Sequence, residues 1–227
     1  MTILIEAAVE SLDAALAAAE GGAHRLELCT DLAHGGTTPD LNLLQVHLPI
    51  PVFILVRPRA GDFVYTDAEH RTMLEQISRA RSAGAHGIVT GDLSLDRTRD
   101  LIAAARPLPV TFHRAFDVSP DRAEALERLI SLGVERVLTS GGAPTAAEGA
   151  DQIRALVAQA KGRIVILPGG GITPDNVARL VERTGVREVH FSVKQAEKVR
   201  KVVQALSALG LCRLLPNHPA PSLIRTR

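Results

Sequence analysis

Several short apolar runs in this chain end in charge, and the residues at those ends are the ones that could do chemistry. Glu27 and Cys29 stand two apart, as do Arg57 and Arg59. In an extended chain residues i and i+2 share a face, so each pair is expected to point the same way. Glu6 lies in the first apolar run, His113 and Arg114 close the run Val110-Thr111-Phe112, and His190 and Ser192 sit in the last. Arginines keep their charge and present a fork of donors that suits carboxylate or phosphate. A carboxyl or an imidazole can move a proton. The expected roles follow from these properties. Glu27 or His113 is a general acid or base, and Asp62 orients an arginine. Glu6, Arg57, Arg59, Arg114, Ser140, Gly170, Gly171 and His190 hold an anionic substrate.

The strongest local pattern is Pro168-Gly169-Gly170-Gly171-Ile172-Thr173-Pro174. Three glycines let backbone N–H groups converge, and Thr173 before Pro174 reads as an N-cap followed by the first helical residue. Such a helix start attracts anions. Ser140-Gly141-Gly142 is a second turn of the same kind. His24 and His86 precede their runs and are expected to be structural or solvated. His34 lies in a Gly-containing loop, His47 near a helix end and His218 in the tail. No HExxH, HxH or CxxC spacing is present, so no zinc site is expected. The first lysine near an exit is Lys194, which argues against Schiff-base chemistry.

What must position these residues is a repeated unit. Gly-Ala-His-Arg-Leu-Glu at Gly22 recurs in form at Gly84, Gly133 and Gly185, each time as glycine feeding a β-prone run after a helical pattern. Further runs begin near Pro51, Pro109 and Gly162, and the first covers Ile3 to Val9. Helices are expected over Leu12–Glu20, Leu41–His47, Asp67–Ser82, Arg97–Ala105, Asp121–Ser131, Ala146–Ala160, Pro174–Thr184 and Gln195–Leu209. Strict β/α alternation with apolar strands means a parallel sheet covered by helices. Eight units over residues 1–210 predict a single-domain (β/α)8 barrel of the TIM type, and a GxGxxG turn for a doubly wound sheet is lacking. In this fold chemistry gathers at the strand C-termini. Residues 211–227, with Pro216, Pro219 and Pro221, read as an extended tail.

Composition narrows the function. The 26 basic and 25 acidic residues leave a net charge of +1, and aromatics make up 3%. Neither a basic field nor stacking platforms are available for nucleic acid. No apolar stretch is long enough for a membrane span, and the N-terminus lacks a secretory pattern. Two distant cysteines, Cys29 and Cys212, suit reduced thiols in the cytoplasm.

The ordered motifs from Gly21-Gly22-Ala23-His24-Arg25-Leu26-Glu27-Leu28-Cys29 through Gly35-Gly36-Thr37-Thr38-Pro39 and Arg57-Pro58-Arg59-Ala60-Gly61-Asp62-Phe63-Val64-Tyr65 resemble the CutC family. Pro107–Asp117, Arg136–Gly141 and Leu167–Ile172 continue the likeness, which spans Leu4 to Ser192. The resemblance implies a cytosolic TIM-type barrel with a part in copper homeostasis, often a homo-oligomer, with no assigned reaction. It also implies Cu(I) ligands at two cysteines near the ends of strands one and two. The second matches Cys29 and the first falls on Ala8. The family's Phe-His-x-Ser-Ala pattern is Val189-His190-Phe191-Ser192-Val193 here, and the following loop is short. Because Cu(I) favours soft ligands, a second reading stands beside copper binding: an enzyme or binding protein for a small anionic, phosphorylated metabolite.

Overall fold

The structure, a computed structural model, describes residues 2–211. The tail from Cys212 onward lies outside them. Eight strands alternate with helices: β1 (Leu4–Val9), β2 (Arg25–Leu28), β3 (Val52–Leu55), β4 (Gly87–Thr90), β5 (Val110–Phe112), β6 (Arg136–Thr139), β7 (Val165–Pro168) and β8 (Glu188–Ser192). The helices are α1 (Leu12–Glu20), α2 (Asp67–Ser82), α3 (Leu95–Ala105), α4 (Arg122–Ser131), α5 (Ala150–Ala160), α6 (Pro174–Thr184) and α7 (Ala196–Ser207). All ladders are parallel, in the order β7-β6-β5-β4-β3-β2-β1-β8, and a bridge between Gly169 and His190 joins the two ends. The eight-stranded barrel expected from the repeats is what forms.

The repeat glycines work as their position suggests. Gly22, Gly84, Gly133 and Gly185 all have positive φ, between 73° and 98°. That left-handed turn ends one helix and starts the next strand without the Cβ clash other residues would meet. Outward-facing strand residues such as Ile5, Leu26, Leu28, Ile54 and Val189 pack under the helices in the main core. Inward-facing Ala8, Cys29, Phe53, Leu55 and Val89 form a smaller apolar cluster.

Two expected helices differ in type or by more than two residues at a boundary. The segment Leu41–His47 is not an α-helix but a 3₁₀ turn over Leu41–Gln45, started by the Asp40 carboxylate accepting from Asn42 N–H. Pro39 and Pro49 bracket it, leaving too few residues for a stable α-helix. The helix expected from Ala146 starts at Ala150, because Gly149 lies against the Ser140 carbonyl, where a Cβ would come within 1.9 Å.

Candidate functional site at the barrel mouth

The inner face of the barrel carries two layers of charge. Arg25, Arg136 and Glu188 are the first residues of β2, β6 and β8, so they point inward near the strand entrances. Arg25 donates to Glu6 and, at 2.6 Å, to Glu188, which also accepts from Arg136 at 3.1 Å. Both guanidinium groups lie over the Phe53 ring, at 5.0 and 5.4 Å. Gly87 opposite leaves room for that ring, since a Cβ there would stand 2.4 Å from it.

Two residues further along β2 and β8 come Glu27 and His190. His190 Nδ1 lies 2.8 Å from Glu6 Oε1, so Glu6 is held from both sides. Burial alone would raise the Glu6 carboxyl, but the His190 hydrogen bond and the Arg25 charge outweigh it and hold the group at about 2. Glu27 has no such support. Burial, with the neighbouring Glu6 charge, pushes it up to about 7 against the pull of His190 and Arg25. Its Oε2 has no partner among the described residues. His190 is raised, because the Glu27 and Glu6 carboxylates outweigh its burial.

Above this layer opens a cavity of about 490 Å³ at the strand C-termini. Glu27, Arg57, His113, Arg114, Gly170, Gly171 and His190 line it, as does Asp117. The geometry thus brings together seven of the residues picked out from sequence. Among the described residues Arg57 meets no carboxylate: its guanidinium donates to the carbonyls of His34, Gly36 and Gly61 and stacks on Phe63. Arg114 donates to Asp117 and Ser140. The N–H groups of Gly171 and Ile172 have no acceptor among the described residues, and Thr173 at the start of α6 also lines the cavity. Lys198, in the first turn of α7, reaches the cavity too. Its Nζ donates to the Ser192 carbonyl at 2.9 Å, and burial lowers its pKa.

Five sequence candidates do not line the cavity. Glu6 is fully buried beneath it. Arg59 does not share a face with Arg57, because β3 ends at Leu55 and Pro58 turns the chain. It is held by Glu69 at 2.6 Å and Asp62 at 2.9 Å, over the Tyr65 ring. Asp62 goes with it, on an exposed loop. Ser140 is buried, and its N–H and hydroxyl hold Asp117. Cys29 is buried in the apolar cluster, its thiol 3.6 Å from the Val9 carbonyl. His24 and His86 are structural, accepting from the N–H groups of Ile5 and Val52.

The CutC family model matches residues 3–195. The chain belongs to the CutC family. A copper homeostasis protein cutC homolog from Mus musculus is 49% identical over 202 residues, 85% of this chain and 74% of its own. The Homo sapiens homolog is 50% identical over 200 residues, 84% and 73% of the two chains. A crystal structure of a CutC protein from Streptococcus agalactiae superposes with a TM-score of 0.79 at 35% identity, over 84% of this chain and 98% of that one.

The family name invites a test of copper against the residues present. At the family's first cysteine position this chain has a buried Ala8 methyl. Burial, reinforced by the Glu27 and Glu10 charges, pushes the Cys29 thiol well up and keeps it protonated. Metal-ligand atoms of Glu6, Glu27 and His190 do lie within 4.8 Å of one another. They are oxygen and imidazole donors, and both Glu6 oxygens are already engaged. Cu(I) wants soft thiolate or thioether ligands. The donor set does not fit it. No helix of the described residues is long and apolar enough to cross a membrane.

Proposed function

We propose that this chain serves copper homeostasis, the role in its relatives' names, by binding a small anionic ligand in the barrel mouth and not by holding Cu(I) on cysteine. One observation carries the reading. The cavity wall presents Arg57, Arg114, Lys198 and His190 against Glu27 and Asp117, an excess of positive charge in a near-neutral chain. Unpaired N–H groups at Gly171 and Ile172, before a helix start, add donors for phosphate or carboxylate. A cytoplasmic setting and a homo-oligomer belong to the same proposal. They rest on the family resemblance and, for the first, on the free buried thiol of Cys29.

Calorimetric titration with inorganic phosphate and sulfate tests the anion arm. Binding is expected, and Arg114→Ala should weaken it about tenfold or more. Titration with Cu(I) against a competing chelator tests the other arm, where the chelator should win in wild type and in Cys29→Ser alike. A tight one-to-one copper site that vanishes in Cys29→Ser overturns the proposal, as does failure of every anion to bind.

A further inference from the structure

Three buried polar atoms on residues that line the mouth have no partner among the described residues: Oε2 of Glu27, Nε2 of His113 and Nε of Arg57. Glu27 and His113 are each 4% exposed. An unpaired buried polar atom is costly and needs a reason.

The state of His113 follows from its surroundings. Its Nδ1 accepts from the Ala115 N–H at 3.3 Å, so that nitrogen carries no proton. Burial, with the Arg57 charge beside it, holds the imidazole neutral down to about 3. The single ring proton is therefore on Nε2, which makes that atom a donor and not an acceptor. Gly91 lets the ring sit against the backbone, since a Cβ there would fall 2.9 Å from Nδ1. Phe63 packs against the ring at 4.9 Å between centroids. Opposite in character is Glu27, the carboxyl in the mouth without a cation of its own. Glu6, Arg25 and His190 face it from β1, β2 and β8, and Cys29 follows just past the end of β2.

A carboxylate that can take a proton near neutrality, and a neutral imidazole that can only donate, are what enolisation requires. We propose that the mouth catalyses proton transfer at the carbon next to a carbonyl group of a small phosphorylated 2-hydroxy carbonyl compound, with Glu27 as the base and His113 as the donor to the carbonyl oxygen. This rests on the anion reading above, which supplies the grip on the phosphate. The Glu27 carboxylate takes the C–H proton. The electron pair of that bond becomes the new C=C bond, and the carbonyl π pair moves onto oxygen, where the His113 Nε2–H stabilises the charge. Return of the proton from Glu27 to carbon regenerates a carbonyl compound. Nothing is oxidised or reduced overall, and no co-reactant is needed.

The protein is incubated in D2O with glyceraldehyde 3-phosphate and, separately, dihydroxyacetone phosphate, and loss of the C–H signals is followed by proton NMR. In parallel, 2-phosphoglycolate, which mimics a phosphorylated enediolate, is titrated calorimetrically. Protein-dependent deuterium incorporation is expected. It should fall about 10²- to 10⁴-fold in Glu27→Gln and about 10²-fold or more in His113→Phe, with thermal melts checking that both variants fold. Glu27→Asp should keep an intermediate rate. Phosphoglycolate binding without exchange on either probe overturns the proton transfer and leaves the anion reading standing. Neither binding nor exchange overturns both. Exchange that survives Glu27→Gln undiminished overturns the assignment of the base.

Discussion

The charged layer near the strand entrances and the charged mouth above it are built from the same residue types in the same barrel, but differ in pairing. Below, Arg25 bridges Glu6 and Glu188, Arg136 joins Glu188, and Phe53 fills the space between the two guanidinium groups. One residue pair further along β2 and β8, Glu27 keeps an unpaired oxygen, and across the mouth His113 keeps an unpaired nitrogen. Below, each carboxylate meets a guanidinium, and one Arg136 nitrogen alone is left without a partner among the described residues; buried charge paired in this way holds a structure together. Buried polarity left unanswered at a cavity wall is available to a ligand.

The largest expected effect breaks the lower layer. Arg25→Met leaves Glu6 and Glu188 short of their shared cation, and removing one partner of a buried ion network costs about 3–5 kcal/mol. Urea unfolding should show that loss, with Tm lower by about 10 °C. A loss under about 1 kcal/mol would mean that the two layers do not differ in kind.

The two carboxylates should also respond to pH with opposite signs. Glu6 is held below its ordinary value of 4.5, so its stabilisation is present above that pH and is lost as pH falls toward 2. Glu27 is raised from 4.5 to about 7, so the stability tied to its protonated form is present below 4.5 and is lost as pH rises through 7. On the order of 3 kcal/mol is at stake for Glu27. Glu27→Gln should therefore flatten the fall in Tm between pH 5 and 8 while leaving acid unfolding near pH 3 in place. An unchanged slope would show that Glu27 ionises as freely as an exposed carboxyl.

Gly87→Ala tests the packing of the lower layer without touching its charge. The new methyl meets the Phe53 ring, and overpacking of this kind costs about 1–3 kcal/mol. Equilibrium unfolding of the variant measures it. The smallest effect belongs to Arg59→Ala. That arginine ties an exposed loop to Glu69 of α2 at the surface, so Tm should stay within about 2 °C and phosphate titration should be unaltered. A loss of anion binding in Arg59→Ala would place the mouth elsewhere than at Arg57 and Arg114.

The barrel was legible because its signal is periodic: glycine turns into strands at four places, each demanding a left-handed backbone. The mouth was partly legible, because Glu27, Arg57, His113, Arg114 and His190 stand at strand exits, where apolar runs give way to charge. Arg25, Arg136 and Glu188 escaped notice because charge at a strand entrance usually faces solvent. Only the two-residue spacing of Arg25 with Glu27, and of Glu188 with His190, hinted that all four point inward. Arg59 misled for a related reason: the period-two argument was applied past the end of β3. Lys198 could not be placed, since it lies on a helix and its approach to the cavity depends on how short the turn after β8 is.

Asp117 adds a consequence of its own. Its carboxylate accepts from the N–H groups of Ser140 and Gly142, at 3.1 and 3.0 Å, and from the hydroxyls of Thr139 and Ser140. The glycine turn after β6 is thus plugged by the protein's own acid, while the turn after β7 stays open. A two-socket receptacle has become a one-socket receptacle, which sorts ligands by how many charged ends they carry. A compound with a phosphate at one end should bind, and a second phosphate at the other end should add nothing, or repel, against Asp117.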